Sequence, residues 1–559
     1  MTLIILLWCA VILRLFFLQV ISGGYFKTQA GRQQNFSGEL RPRRGNIYLR
    51  ERAGALIPFA TTKEGYLAFI SPKKLKNINK TDIFLALNKI IVLDKEFFFS
   101  RLAKSDDPYE IIAHRIDKPA ADKITALNID GLGVEPEEWR LYPAKTLASQ
   151  VVGFLGYKGD KLEGRYGIEK FYEATLKGEP GFVNSSQSAG GIILDLGQSL
   201  FNPPREGYDV LLTLEPNSQA FLEKKLLEIK NEWHPTGGGG IVIEPRTGKI
   251  LAMASFPNFD PNSYGSVLSL NTFKNPAVES VYEFGSVFKS LTMAAGLNQG
   301  VITPDTKYND KGFLELDGRT IRNFDGKGRG IVTMQTVLNE SLNTGAAFVA
   351  SELGHDNMKK YFQGYGLGEK TGITLPGEVA GNLQNLNSRR DVEFATAAFG
   401  QGIAVTPLEF ASAASALANG GKIMKPYIVE RIIRPGEPDI ETKPEEIRQI
   451  LKPETSETIS RMLSKVADDA LLGGAAKFEH WTTAAKTGTA QIPLENNKGY
   501  SDEYLHSFLA YAPAFDSKFL LFLWVERPEG VLYASQSLGK YYQQIMQFLL
   551  TYYEIPPDR

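Results

Sequence analysis

Ser286 stands three residues ahead of Lys289, at the head of an apolar run that continues through Leu291, Met293, Ala294 and Leu297. In a helix, a spacing of three puts both side chains on one face, a turn apart. A serine hydroxyl is a weak nucleophile until an adjacent base takes its proton, and a lysine amine one turn away has that reach. The backbone N–H groups and positive dipole end of the helix would favour negative charge developing at Ser286. Many surface helices carry such a pair, so it means little alone. Two more short motifs follow: Ser341-Leu342-Asn343 about 55 residues later, and Lys486-Thr487-Gly488-Thr489 about 145 after that. Singly, Ser341 reads as a helix cap and Lys486 as a solvated strand lysine. Together, in this order and spacing, the three point to acyl transfer with Ser286 as nucleophile.

The surrounding pattern supplies elements to position these groups. Tyr208–Thr213 reads as a strand and about Pro216–Asn231 as a helix. Gly240–Glu244 and Lys249–Ala254 read as a hairpin around Pro245-Arg246-Thr247-Gly248. His506–Tyr511 and Phe519–Val525 read as two strands joined by Phe515-Asp516-Ser517-Lys518, and a last helix spans about Gly539–Tyr553. Helices and strands are segregated rather than alternating, which predicts an α+β fold with a mainly antiparallel sheet. Upstream, about 80–105 reads as a helical stretch. Gly178-Glu179-Pro180-Gly181 and the 202–207 segment read as turns or linkers, so a domain boundary is placed near 205.

Composition narrows the functional classes. The chain has 559 residues, 43% hydrophobic and 22% charged, with a formal net charge of -1. It is too long for one typical domain, and it lacks the basic excess of a nucleic-acid binder. Its single cysteine, Cys9, excludes an intrachain disulfide and a cysteine-based metal site. The five histidines are scattered without metal-ligand spacing, so no metal or other cofactor is expected. From Leu3 to Ile21 the chain is almost purely apolar, long enough to cross a bilayer as a helix. Arg14 within it costs roughly 3 kcal/mol unless it snorkels or finds a partner. No small-x-small cleavage site follows, and Trp8 before Cys9 does not suit a lipoprotein signal, so residues 1–23 read as an uncleaved anchor. The cations Lys27, Arg32, Arg41, Arg43 and Arg44 after the run favour the opposite orientation by the charge rule.

With these motifs, nearly the whole chain resembles the class B penicillin-binding proteins. Tyr282-Glu283-Phe284-Gly285 stands where that family usually has Tyr-Glu-Pro-Gly, and Phe284 is a departure that removes a fixed φ. Leu251-Ala252-Met253-Ala254-Ser255 with Asp260-Pro261-Asn262, Gly366-Leu367-Gly368, Leu375-Pro376-Gly377-Glu378, Gly400-Gln401-Gly402 and Ala418-Asn419-Gly420-Gly421 match its catalytic region. Arg44-Gly45-Asn46-Ile47, Tyr142-Pro143 and Gly167-Ile168-Glu169-Lys170 fit its non-catalytic pedestal more loosely. The resemblance implies a membrane anchor (1–23), an elongated pedestal of dimerisation type (24–205) and a transpeptidase domain (206–559). That last domain would be shared in fold with the serine β-lactamases, an antiparallel sheet flanked by helices.

The resemblance also implies roles. Ser286 attacks a terminal D-Ala-D-Ala bond of a stem peptide, and Lys289 serves as base. Ser341 relays a proton to the leaving amine, and Lys486 sets the field. Asn343 holds the substrate amide and Lys289. Thr487 and Thr489 bind the substrate carboxylate. Gly488 lets substrate lie close to the strand. The Ser286 and Thr489 N–H groups form the oxyanion hole, worth about 3 kcal/mol per donor. The product is a cross-link to an amine on a neighbouring stem peptide, and β-lactams inhibit. The expected setting is the bacterial cytoplasmic membrane, with a single pass, the catalytic domain outside the cytoplasm and a polytopic glycan polymerase as partner. Two readings compete. A β-lactam-hydrolysing or sensing protein shares the trio, and Glu378 lies superficially where a deacylating glutamate would be, but without the Glu-x-x-Leu-Asn pattern. A catalytically silent scaffold of a wall-synthesis complex is the other.

Overall fold

The computed structural model describes residues 35–40, 42–76, 78–159, 161–187, 193–494 and 499–559. The apolar run Leu3–Ile21, read as an anchor, lies outside them. Among the described residues no helix is long and apolar enough to cross a membrane.

The described residues up to Gly45, together with Ala174–Asp209, make one compact unit, and Asn46–Glu173 with Val210–Arg559 make another. The first unit carries a three-stranded antiparallel sheet in which Gly181–Gln187 lies between Asn35–Leu40 and Ile193–Asn202. In the second, the long strand Leu56–Ile70 pairs with Ile47–Arg50, Glu110–Ile116 and Leu132–Leu141. The stretch 80–105, expected to be helical throughout, is two helices, Lys80–Asn88 and Lys95–Leu102. The second starts afresh because the Asp94 side chain accepts the Phe97 N–H, a standard N-cap. Leu87, Phe98 and Leu102 then pack with Ala68 and Ile70 of the long strand.

The catalytic part of that unit is built around five strands and the helices that cover them. In chain order these are α1 (Pro216–Trp233), β1 (Gly237–Ile243), β2 (Ile250–Phe256), α2 (Lys289–Gln299), α3 (Asn343–Leu353), α4 (Pro407–Ala418), β3 (Ala484–Pro493), β4 (Tyr500–Ala512), β5 (Phe519–Glu526) and α5 (Ala534–Tyr552). The sheet order is β2-β1-β5-β4-β3, antiparallel throughout. The α+β expectation holds, and the motif Lys486–Thr489 falls on an edge strand. β5 reads Phe-Leu-Leu-Phe-Leu-Trp-Val without polar alternation because both sheet faces are covered. Leu521, Leu523 and Val525 pack with Leu222, Leu226 and Ile229 of α1 and with Tyr542, Ile545 and Leu549 of α5. Phe522, between them in sequence, points the other way, its ring 4.7 Å from Phe410 of α4 and 4.9 Å from Phe284. Truncating such a buried ring costs about 3–5 kcal/mol. A capping box between Thr406 and Glu409, with Pro407 in the first turn, starts α4. The first two turns of α2 are buried on every side, which is why its sequence is apolar all round except at Lys289, Ser290 and Thr292.

Candidate active site

Ser286, the candidate nucleophile, is mounted on a single 3-10 turn, Gly285–Phe288, and α2 proper begins at Lys289. The turn lies directly on β3. Gly285 has φ +64, and a Cβ there would come within 3.0 Å of the Ala490 Cβ and 3.2 Å of the Thr489 carbonyl oxygen. Only glycine combines that backbone with that approach. Phe284, at the position of the family's proline, holds φ -84 and ψ -4 without a ring constraint. Its side chain is fully buried between Phe410 and Phe522, and its carbonyl accepts the Ser507 hydroxyl at 2.8 Å. Aromatic packing and that bond fix the turn.

Gly488 packs against this same turn. It does not line the cleft. A Cβ on it would overlap the Phe284 carbonyl and the Ser507 hydroxyl and sit 3.2 Å from the Val287 nitrogen. Its bareness therefore admits the turn that carries Ser286.

Lys289 is fully buried. Its Nζ donates to the Ser341 carbonyl at 2.5 Å, the Ser341 hydroxyl at 3.2 Å and Asn343 Oδ1 at 2.8 Å, and among the described residues no carboxylate faces it. Ser286 is partly exposed; its carbonyl accepts the Lys289 backbone N–H, and its hydroxyl has no hydrogen-bond partner among the described residues. Ser341 adopts φ +56, unusual for a side-chain-bearing residue. That conformation costs on the order of 1 kcal/mol, and with it both its carbonyl and its hydroxyl meet Lys289. From β3, Lys486 Nζ donates to the same Ser341 hydroxyl at 2.9 Å and to the Thr487 carbonyl at 3.1 Å. Two buried lysines thus converge on one hydroxyl. Burial pushes the Lys289 amine well below the ordinary lysine value, and the Lys486 charge pushes it further in the same direction. Burial alone lowers Lys486 to about 7.

Asn343 opens α3 and faces two ways, its Oδ1 on Lys289 and its Nδ2 donating to the Arg322 carbonyl at 2.9 Å. Thr487 and Thr489 line a cleft of about 840 Å³ together with Ser286, Ser341, Asn343 and Lys486. The Thr489 hydroxyl accepts the Ala534 N–H at 3.1 Å, which leaves its own hydrogen to donate elsewhere. All three motifs therefore meet in one cleft.

Sequence reasoning missed His506. It lies on β4 opposite Thr489, fully buried, with Nδ1 on the Ser537 hydroxyl at 2.8 Å and Nε2 on the Leu532 carbonyl at 3.1 Å. It ties to the sheet the turn that delivers the Ala534 N–H to Thr489. Its register opposite the motif was the one available signal. Glu378 does not line the cleft, and its carboxylate accepts the Thr371 N–H and hydroxyl and the Gly372 N–H. Among the described residues Glu340 is the only carboxylate lining the cleft, and Arg329 Nε holds it at 2.7 Å. Among the described residues no group of three or more His, Cys, Asp or Glu side chains could hold a metal.

Comparison with known proteins agrees with this geometry. Residues 238–547 match the penicillin binding protein transpeptidase domain, and residues 39–212 match the penicillin-binding protein dimerisation domain. The chain is 33% identical to the stage V sporulation protein D of Bacillus subtilis, over 93% of this chain and 79% of that one. It is 28% identical to the peptidoglycan D,D-transpeptidase FtsI of Buchnera aphidicola, over 98% and 93% of the two chains. In fold it is similar to the crystal structure of penicillin binding protein 2X from Streptococcus thermophilus, with a TM-score of 0.77 at 20% identity, covering 92% of this chain and 80% of that one. The catalytic domain and the segment before it match one family in the same order, so this chain belongs to the class B penicillin-binding proteins, the peptidoglycan D,D-transpeptidases.

Proposed function

We propose that Ser286 is the acylated nucleophile and that the two lysines meeting at Ser341 are the proton machinery. The observation that carries this reading is the buried Lys289 amine, set among polar groups without an acid. A neutral amine has two hydrogens and one lone pair. Two of its three partners, the Ser341 carbonyl and Asn343 Oδ1, are strict acceptors and use the two hydrogens. The lone pair then remains for a hydroxyl proton. Lys289 takes the Ser286 proton as Oγ bonds to the D-Ala carbonyl carbon, and the Ser286 and Thr489 N–H groups hold the oxyanion. As the C–N bond breaks, Ser341 passes a proton to the departing D-Ala amine and recovers one from Lys289 or Lys486. Thr487 and Thr489 hold the terminal carboxylate, with Lys486 supplying positive potential. An amine of a neighbouring stem peptide then attacks the ester, completing the cross-link and freeing Ser286. A β-lactam forms the same ester, but its leaving amine stays tethered.

Hydrolysis would need a base to activate water. Glu378 is engaged in its own loop and Glu340 is neutralised by Arg329, so transpeptidation is the better reading. The full acid-base set in one cleft argues likewise against a silent scaffold. We further infer a membrane anchor at 1–23, a pedestal at 24–205 and a transpeptidase domain at 206–559, with the catalytic part outside the cytoplasm. A polytopic glycan polymerase is the expected partner. The apolar run, the two domain matches and the family resemblance support this arrangement.

The test is labelled penicillin on the purified protein, followed by a thioester donor with an added D-amino acid. The adduct should map to Ser286, persist for many minutes, vanish in Ser286→Ala, and give way to aminolysis when the thioester is used. Label on another residue overturns the site. Turnover of penicillin many times per second without aminolysis makes the protein a hydrolase.

A further inference from the structure

An inserted segment closes onto the first turn of α3, and the closure is made by one buried acid. Strand Lys307–Asp310 pairs with Gly330–Thr333, and between them runs the hairpin Phe313–Leu316 with Arg319–Arg322. At the neck, Asp310 is 2% exposed and makes no ion pair among the described residues. Dipoles alone solvate its carboxylate: the Gly312 N–H at 2.9 Å, the Arg329 N–H at 3.0 Å, Asn323 Nδ2 at 3.0 Å to each oxygen, and the Thr344 hydroxyl at 2.8 Å. A buried charge so satisfied is rigid, because losing any donor leaves it poorly solvated.

What Asp310 grips decides its consequence. With its NH2 group on the carboxylate, Asn323 must turn Oδ1 outward, where it accepts the Thr344 N–H at 3.2 Å, with the Thr344 hydroxyl oxygen, whose proton is on the carboxylate, 3.1 Å away. Asn323 follows Arg322, and Thr344 follows Asn343. The carboxylate therefore clamps the immediate neighbours of both partners in the Arg322–Asn343 contact. A side-chain amide is nearly symmetric in shape, and only its partners decide which end points where. The Arg322 carbonyl can only accept, so it takes Nδ2 and leaves Oδ1 for Lys289. Were the amide reversed, an N–H would face the lysine and occupy the lone pair that must receive the Ser286 proton.

We propose that Asp310 is a positioning residue for acylation, which through Asn323 and Thr344 fixes the Arg322 carbonyl against Asn343 and so keeps Asn343 Oδ1 on Lys289. The inference rests on the assignment of Ser286 and Lys289 as the acylating pair. Losing the Oδ1 acceptor removes stabilisation of the charged lysine, so the acid limb of the acylation profile moves to lower pH while the plateau falls. A merely structural lesion lowers the plateau and leaves the limb in place.

The experiment measures the second-order rate of acylation by a fluorescent penicillin from pH 5.5 to 9.5 in Asp310→Asn, Asn343→Ala and the double variant, with thermal midpoints alongside. Asp310→Asn should lose about 10- to 100-fold at the plateau, with its acid limb displaced downward. The double variant should be no slower than Asn343→Ala alone, since both act through one amide. Thr344→Val removes one donor and leaves the carboxylate three donor groups. It should show the same displacement with a loss of about fivefold, and it decides the matter if Asp310→Asn does not fold. A wild-type rate and limb in a folded Asp310→Asn, or losses that multiply in the double variant, overturn the inference alone. A wild-type rate in Asn343→Ala overturns the role of Asn343 and the inference with it.

Discussion

Lys486→Gln removes the one positive charge that bears on Lys289 while keeping a donor for Ser341. Both lysine nitrogens bond the Ser341 hydroxyl, at 3.2 and 2.9 Å, so they lie no more than about 6 Å apart. Two full charges at that separation repel by about 3 kcal/mol at an effective dielectric of about 20, or about 2 pH units on the weaker base. With Lys289 as the proposed base, the acid limb of the acylation profile reports Lys289 losing its proton. Below pH 7, Lys486 is itself mostly charged, because burial lowers it only to about 7. That charge is one of the two causes that lower the limb of the native enzyme. In Lys486→Gln it should move upward by about 1–2 pH units. It stays below the free-lysine value because burial, the larger cause of the depression, is untouched.

The assay is penicillin acylation against pH, read for the position of the limb rather than its height. The height should fall as well, since Lys486 is also proposed to supply positive potential to the substrate carboxylate. Lys486→Arg is the control: arginine stays protonated across the range, so its limb should remain at or below the native position. A limb that is unmoved or lowered in Lys486→Gln would refute the electrostatic coupling of the two lysines. Lys486 would then act on substrate alone.

Three further outcomes are expected. His506 is held near pKa 4 by burial against an unfolded value of about 6.5, so its stabilising contribution is complete above pH 6.5 and is lost as pH falls towards 4. About 3 kcal/mol is involved, and thermal midpoints of the native protein should drop more steeply over that range than those of His506→Asn; parallel slopes would contradict this. Gly488→Ala forces a methyl into the Phe284 carbonyl and the Ser507 hydroxyl. It should cost about 1–3 kcal/mol of stability and about 100-fold in acylation through displacement of the turn; a rate within threefold of native means the turn can yield. Phe284→Pro should cost about 2–4 kcal/mol by emptying a buried ring site yet acylate within about tenfold of native, because φ there is already -84; a far slower but fully stable variant would show that the ring itself positions Ser286.

The chemistry of this chain was legible because it depends on residue types at fixed spacings, and Ser286, Lys289, Ser341, Asn343, Lys486, Thr487 and Thr489 do line or border one cleft. The framework was legible where a pattern had one interpretation. The turn Pro245–Gly248 and the apolar run Phe519–Val525 gave the hairpin and the central strand. The break near residue 90 was not legible, since the Ile90-Ile91-Val92 run continues the helical pattern and only the Asp94 cap restarts it. The last helix begins at Ala534, five residues before Gly539, because its N-terminus is fixed by Thr489 and His506 from across the sheet.

What stayed hidden has one physical cause. The fitness of Lys289 as a base is a property of its burial and of Lys486, and neither is local in sequence. The need for glycine at 488 arises also from Phe284, about 200 residues earlier, a contact that no local pattern reveals. Asp310 sits in Tyr308-Asn309-Asp310-Lys311-Gly312, which reads as an ordinary polar turn. Its carboxylate becomes informative only when Asn323, Arg329 and Thr344 are brought to it. Groups that perform the reaction must be of particular types, and their types betray them. Groups that hold those residues in place need only the right partner at the right distance, and that condition is met by the fold.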